Sequence, residues 1–487
     1  MKKILSLTLV LCMLLACAVT AHAEVPTVKF STFTVFETLQ GPGEEAVEKA
    51  LNDHLDELGY QFHVDLEVVY GMDYITQMDM DLSSGMDVDA FLDLNYVTHA
   101  GQGSLLNLDP YLENELKEAA SLFDQEWLDA TKVGGVHYAI PNHGTASATY
   151  YYLCRKDLVE EMGYDVSKVK DLASLEEFFA AIKEAYPDMY CTDAYTTSAY
   201  LLPMSAEGIG YFSTYYGVCM SPENEGTMEN MYTNQVFVDA CYRAQDWYEK
   251  GYYSQNGSTD TTYSPDYITS GEAFGWVVGN ANDAITQAKN YSNISGVELL
   301  ALPLVDVPDS TPGFYFCIGQ GCKHPSEAAQ FLNLTYTDEF VLNTILYGIE
   351  GEDYVWKEEI QAYGYPEGKD RSTVPYSYVE GNTVLGDRLK SWAFEGAFTE
   401  SDRAYVANKI VNNPRTPIYG MNLDTSSVTT QVAAVTNVVN QYYNSLMYGE
   451  VDVDTYLPMF QKALESAGIN DIIAAAQAQY DAWKAAK

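Results

Sequence analysis

The chain has 487 residues, enough for two or three lobes rather than one core, and 47% of them are apolar. Its 69 acidic side chains against 26 basic ones give a net charge of -43, a field that repels phosphate backbones and anionic lipid and so argues against nucleic acid or membrane surfaces as partners. Cations or neutral molecules suit it better, and 40 Tyr with six Trp supply flat amphipathic rings that can stack on sugar faces or fill cores.

Met1-Lys2-Lys3 and the short apolar run Ile4 to Ala16 read as a secretory signal, too brief to stay in a bilayer. Two processing sites compete. Leu14-Leu15-Ala16-Cys17 reads as a lipobox that would leave Cys17 lipidated, and Ala21-His22-Ala23 before Glu24 fits ordinary cleavage after residue 23. The remaining cysteines, Cys154, Cys191, Cys219, Cys241, Cys317 and Cys322, are scattered without Cys-x-x-Cys spacing, so a structural zinc site is not expected; disulfides and buried thiols both remain open.

Strand and helix patterns then alternate, as in an α/β protein. Val28 to Val35 reads as a strand, followed by a loop with Phe36-Glu37-Thr38 and a helix whose stripe is Val47, Leu51, Leu55 and Leu58, ended by Gly59. Phe62, Val64, Leu66 and Val68 alternate as a second strand, and Val88 to Leu94 is a third, which predicts parallel crossovers. Tyr138 to Pro141 and Thr149 to Leu153 are extended segments joined by small polar residues, read as a crossing between lobes. Beyond it Leu158, Val159 and Met162 mark a short helix closed by Gly163, and Ser174-Leu175-Glu176-Glu177 reads as a capping box opening a helix to Pro187. Phe237, Cys241, Ala244, Trp247 and Tyr248 form another helical stripe closed by Gly251, before strand-like runs Ala273 to Val278 and Val297 to Leu304. From Ser326 the pattern is mostly helical, with Pro- and Tyr-rich interruptions between Tyr363 and Val379 and one long stripe through Val428, Val432, Val435, Val439, Tyr442 and Leu446.

Four stretches make the chain resemble family-1 extracellular solute-binding proteins, in particular a lipoprotein subgroup with a helical C-terminal region. They are CRKDLVEEMGYDVSKVKDLASLEEFFAAIKEAYPD from Cys154, NLTYTDEFVLNTILYGIEGEDYVW from Asn333, NLDTSSVTTQVAAVTNVVNQYY from Asn422 and VDVDTYLPMFQKALESAGINDI from Val451. The resemblance implies a periplasmic-binding-protein-like α/β fold of two discontinuous lobes that close on a ligand about hinges near Pro141 to Thr149 and Leu304 to Gly313. The expected division is a signal at 1–23, first lobe at 24–140, second lobe at 145–305, a return to the first lobe at 313–375, and a helix-rich region at 376–487 packing mainly with the second lobe. It further implies the substrate-binding component of an ABC importer: an extracytoplasmic monomer, at the cell surface through a lipid or free in the periplasm or medium. Its ligand is expected to be a sugar, best a neutral oligosaccharide, its partners the permease subunits, with no cofactor and no enzymatic activity.

Ligands of open α/β sheets sit beyond the carboxyl ends of strands. The candidates are therefore Glu37 after the first strand, Asp93 and Asn95 after the third, Asn142, His143 and Tyr151 about the crossing, and Trp276, Asn280 and Asn282 in FGWVVGNAND, with Trp356 and Trp392 as further possible sugar platforms. Each has a plainer alternative: Asp93 as an Asx turn, His143 as a loop residue, Trp276 as a core anchor. No Gly-x-Ser-x-Gly elbow, Walker A loop, Gly-x-Gly-x-x-Gly turn or His-Glu-x-x-His pair occurs, and the aspartates of MDMDLSSGMDVDAF lack the glycine and terminal glutamate spacing of an EF-hand. The rival reading is a secreted glycoside hydrolase, for which a carboxylate pair suffices. A surface adhesin would expect repeats or a wall anchor, and neither is found.

Overall fold

Strand β1 (Thr27–Thr34) buries Val28, Phe30, Thr32 and Thr34 on one face and is an inner strand of a parallel unit, with Val28 opposite Val64 and Phe30 opposite both Leu66 and Ala90. The computed structural model describes residues 25–34, 42–86, 88–144, 148–193, 200–254, 257–259 and 262–486. Helix α1 (Pro42–Leu58), β2 (His63–Tyr70), α2 (Gly71–Ser84) and β3 (Ala90–Asp93) follow as the alternating pattern predicts, and α3 (Tyr96–Gln102) leaves the carboxyl end of β3. Val47, Leu51 and Leu55 are fully buried under the sheet, each contributing about 1.5–3 kcal/mol. Leu58, the last member of that stripe, is 50% exposed, because the chain turns at Gly59 and Phe62 enters the core instead.

The short strand β4 (Ala139–Pro141) ends the first passage through this sheet. The chain then builds a second, antiparallel sheet in which β5 (Thr149–Arg155) lies between β6 (Gly275–Asn280) and β7 (Leu299–Asp306). Around it pack α4 (Leu172–Ala185), α5 (Gln235–Glu249) and α6 (Ala284–Ser295). The cap of α4 is one turn earlier than the sequence pattern suggests. Asp171 accepts from Ser174 N–H at 2.9 Å and the Ser174 hydroxyl oxygen accepts from Asp171 N–H at 3.1 Å, so Ser174 is the reciprocal partner, not the cap, and Glu177 lies outside the box.

Strand β8 (Tyr315–Ile318) returns to the first sheet, antiparallel between β3 and β4, giving the order β2-β1-β3-β8-β4. Helices α7 (Pro325–Thr337) and α8 (Glu339–Tyr347) complete that core. The expected lobe boundary at residue 375 is displaced: Tyr376, Tyr378, Val384, Leu385 and Phe394 all belong to the first core. The tyrosines fill it because their hydroxyls find partners, Tyr376 donating to the Ile345 carbonyl (2.6 Å) and Tyr378 meeting Thr32 (3.0 Å). Helix α9 (Glu400–Asn412) follows, with Ile410 still packed against this core. Helices α10 (Thr429–Met447), α11 (Val453–Ala467) and α12 (Ile469–Ala486) then share a third core with residues 200–241, where Val218, Phe237, Val435, Leu446, Phe460 and Ile472 are buried together. The six cysteines of the described residues are free, and all but Cys322 are buried. No helix among the described residues is long and apolar enough to cross a membrane.

Candidate functional site

Asp93, Tyr315 and Pro141 stand in one row at the carboxyl end of β3, and Thr149, at the start of β5, pairs with both Asn280 and Asp306 in the second sheet. The chain passes between these rows in the interval from Pro141 to Thr149 and again between Asp306 and Tyr315. A third strand of chain comes alongside at Asp387 to Lys390, where His143 pairs with Asp387.

Most of the expected ligand residues serve this crossing. Asn142 is 2% exposed: its backbone N–H donates to the Phe314 carbonyl (3.0 Å), its Oδ1 accepts from Phe314 N–H (2.8 Å) and its Nδ2 donates to the Thr383 carbonyl (3.1 Å). His143 is buried with Nδ1 at 2.7 Å from Asp387 Oδ1 and its ring edge-on to Phe123. Asn142 ties the crossing to Phe314 and Thr383, and His143 Nδ1 ties it to Asp387, contacts within the protein where the sequence reading expected contacts to a ligand. Tyr151 and Asn282 are brought together, the buried Tyr151 hydroxyl donating to the Asn282 carbonyl (2.8 Å). Asn282 Oδ1 also accepts from Arg388 Nη2 (2.6 Å), and Arg388 Nη1 donates to the Ala281 carbonyl (3.0 Å). Trp276, 2% exposed and edge-on to Tyr291, is a core anchor of the second sheet, the plainer of its two alternatives.

Asp93 makes the Asx turn, accepting from Asn95 N–H at 2.8 Å, and its buried carboxylate also holds His99 Nδ1 at 3.0 Å. The half-buried Asn95 donates from Nδ2 to Asp79 (2.7 Å). Asn280, at the tip of β6 beside Thr149, is half-buried and its amide has no partner among the described residues. Trp356 is 44% exposed and stands opposite Tyr363 on a hairpin of the first lobe, with the Trp392 ring packed against Tyr363. Glu37 and Cys17 lie outside the described residues. Among those residues no group of three or more His, Cys, Asp or Glu side chains has metal-binding geometry.

A cavity beside the crossing is one that residue-by-residue reading missed. It measures about 180 Å³ and is lined by Tyr211, Phe212 and Tyr216 of the second lobe, Ser310 and Thr311 of the crossing, and Ile418, Met421, Asn422 and Leu423. Tyr150, just inside the second sheet, lies near Tyr211, and burial raises the pKa of both hydroxyls, so each is a neutral hydrogen-bond donor at physiological pH. On the first lobe Tyr315 stacks on Tyr96 with centroids 4.2 Å apart, and Asn422 lies beside the Tyr315 hydroxyl. The available signal was GYFSTYYG, Gly210 to Gly217, four aromatic rings between two glycines.

Comparison with known proteins fits this architecture. Across 94% of its length the chain superposes on 99% of the N-glycan transport solute binding protein NgtS from Streptococcus pneumoniae, with a TM-score of 0.76 at 20% identity. This is the fold of an extracellular solute-binding protein. The same NgtS in complex with Man1GlcNAc superposes with a TM-score of 0.66, and an extracellular solute-binding protein from Bifidobacterium longum subsp. infantis with 0.67, over 95% of this chain and 99% of that one at 16% identity. In sequence, a carbohydrate ABC transporter substrate-binding protein of Streptococcus pneumoniae is 23% identical over 436 residues, 86% of this chain and 84% of the relative. Residues 417–485 match a family described as a domain of unknown function, DUF3502, whose first residues are those on the far wall of the cavity.

Proposed function

We propose that this chain is the extracytoplasmic substrate-binding protein of an ABC importer, that it captures a neutral oligosaccharide between its two lobes, and that it presents the closed complex to the membrane permease. The observation that carries this reading is the cavity beside the crossing, between the second lobe's aromatic segment and residues 418–423: three aromatic rings, hydroxyls and an amide, with no charged side chain in its lining. Such a surface stacks on the C–H faces of pyranose rings and exchanges hydrogen bonds with their hydroxyls. The relatives support the same ligand class, since NgtS is described as transporting N-glycans and has been solved with Man1GlcNAc. Asn280, the expected residue whose amide has no partner among the described residues, extends the site beyond the cavity.

The protein acts as a monomer and binds its sugar without altering it. A micromolar site needs only about 8 kcal/mol, which a few stacked rings and hydrogen bonds supply after ordering costs. It is exported, and either Cys17 carries the lipid that keeps it near the permease or cleavage after residue 23 releases it. Calorimetry against ladders of neutral oligosaccharides, followed by mass analysis of the recovered sugar, tests the proposal. Stoichiometric binding with unchanged sugar is expected; turnover that persists through repurification would replace it with the hydrolase reading.

A further inference from the structure

Three properties of the junction cavity narrow what it takes, given the sugar-binding reading on which this inference rests. The first is size. About 180 Å³ is the volume of roughly six liquid waters and lies below the range of pockets that enclose drug-sized ligands, so it holds one pyranose unit and not a chain. The second is charge: in a protein of net charge -43 its lining carries none, which selects a neutral unit over a uronate or an amino sugar cation. The third is unfilled hydrogen bonding. The buried Asn422 Nδ2 has no acceptor of ordinary geometry among the described residues, and the buried Tyr315 hydroxyl beside it completes no such bond either.

The wall that carries Asn422 is held before any ligand arrives. Arg415 reaches Asp124 (2.8 Å) and Glu126 (2.6 Å) of the first lobe, Thr416 N–H donates to the Asp309 carbonyl (2.9 Å), and Gly420 N–H to the Ser310 carbonyl (3.2 Å). Gly420, at φ +76°, presses so closely on Ala130 that a Cβ there would stand 2.3 Å from its side chain. On the other side Gly210 packs on Ile418 with equally little room, which fixes the aromatic segment against the same wall. The cavity wall is therefore tied at once to the first lobe, to the crossing and to the aromatic segment.

We propose that this cavity is a preformed anchor subsite for the terminal unit of a neutral oligosaccharide, and that the opening residues of the DUF3502 segment, Asn422 above all, form its recognition wall. The terminal unit docks in the open protein, and the rest of the chain is then enclosed as the lobes close. The segment thus reads one end of the sugar, while the three helices that follow buttress the aromatic wall through the shared third core.

The test is a double comparison on the intact mature protein. Wild type, Asn422→Ala and Tyr216→Leu are titrated with the tightest-binding sugar of the neutral oligosaccharide ladders and with that sugar lacking its terminal unit. Each substitution is expected to weaken the full sugar about tenfold, the effect of one lost hydrogen bond or stack, with the ligand-free melting temperature unchanged. Removing the terminal unit should cost wild type a similar factor and cost the variants little more, because both changes delete the same contact. Independent, multiplying losses, or full affinity in both variants, overturn the subsite while leaving the sugar site standing. A wild-type protein that binds no member of the ladders overturns both.

Discussion

His99 stands between two carboxylates, with Nδ1 at 3.0 Å from Asp93 and Nε2 at 3.1 Å from Asp79. Burial disfavours its charge, but the hydrogen bond and the negative charge of Asp93, joined by those of Asp79, outweigh it and raise the pKa above the ordinary 6.5. A raised folded-state value means that the proton stabilises the fold. The contribution is complete below about pH 6.5 and is lost as pH rises through the folded-state value. The melting temperature of wild type should therefore exceed that of His99→Gln most at acidic pH, and the gap should shrink as pH rises above 6.5; a gap constant with pH would show that His99 acts only by packing. The same cluster shows what was legible at residue scale. A carboxylate and an amide after the third strand were visible as polar groups at a carboxyl end, but Asp93 is occupied by His99, a partner six residues on whose orientation depends on α3. Asn142 and His143 were likewise found in the right place, and their engagement with Phe314, Thr383 and Asp387 could not be seen because those partners lie more than 170 residues away.

Elements were more legible than side-chain roles, since periodicity is local. The stripe of α1, the alternation of β2 and the stripe of α10 each appear where apolar spacing put them. The start of α4 did not, because Asp171 and Ser174 both have capping chemistry and only the backbone path decides between them. The cap predicts a difference: Asp171→Ala removes the acceptor of Ser174 N–H and should cost about 1 kcal/mol, whereas Glu177→Ala should stay within about 0.5 kcal/mol of wild type. Chemical denaturation of the two variants checks it, and equal losses would return the box to Ser174 and Glu177. The Tyr-rich stretch between residues 363 and 379 was read as an interruption for a related reason. Tyr376 and Tyr378 obey no helical or strand period, yet they are fully buried through hydroxyl bonds to Ile345 and Thr32 that only the tertiary fold supplies.

At the scale of the whole molecule the lobes are joined three times, and the third connection carries the buried cation. Arg388 belongs to the first lobe's return, is 1% exposed, and donates to Ala281 and Asn282 of the second lobe while its guanidinium lies over Phe398 at 5.1 Å. Burial lowers its pKa to about 10, the nearby Asp402 charge opposing that shift, so the group stays ionised at neutral pH. Among the described residues no carboxylate contacts it directly; its charge is spread over neutral oxygens of the other lobe. Were the lobes to close about the crossings beside Asn142 and Phe314, as the proposed function requires, these two hydrogen bonds would act as a strut limiting how far the empty protein can swing. Replacing Arg388 by Ala removes hydrogen bonds to a charged group, each worth about 1.5–3 kcal/mol, and leaves the Asn282 side chain without this donor. Small-angle scattering of the ligand-free Arg388→Ala protein should then show a broader distribution of interlobe distances than wild type, and Arg388→Lys, which keeps a donor but not the fork, should fall between them. Because this measurement needs no sugar, it stands apart from the identity of the ligand. Identical scattering of all three proteins would mean that the lobes are held by the crossings alone, and that Arg388 serves only to satisfy the carbonyl it covers.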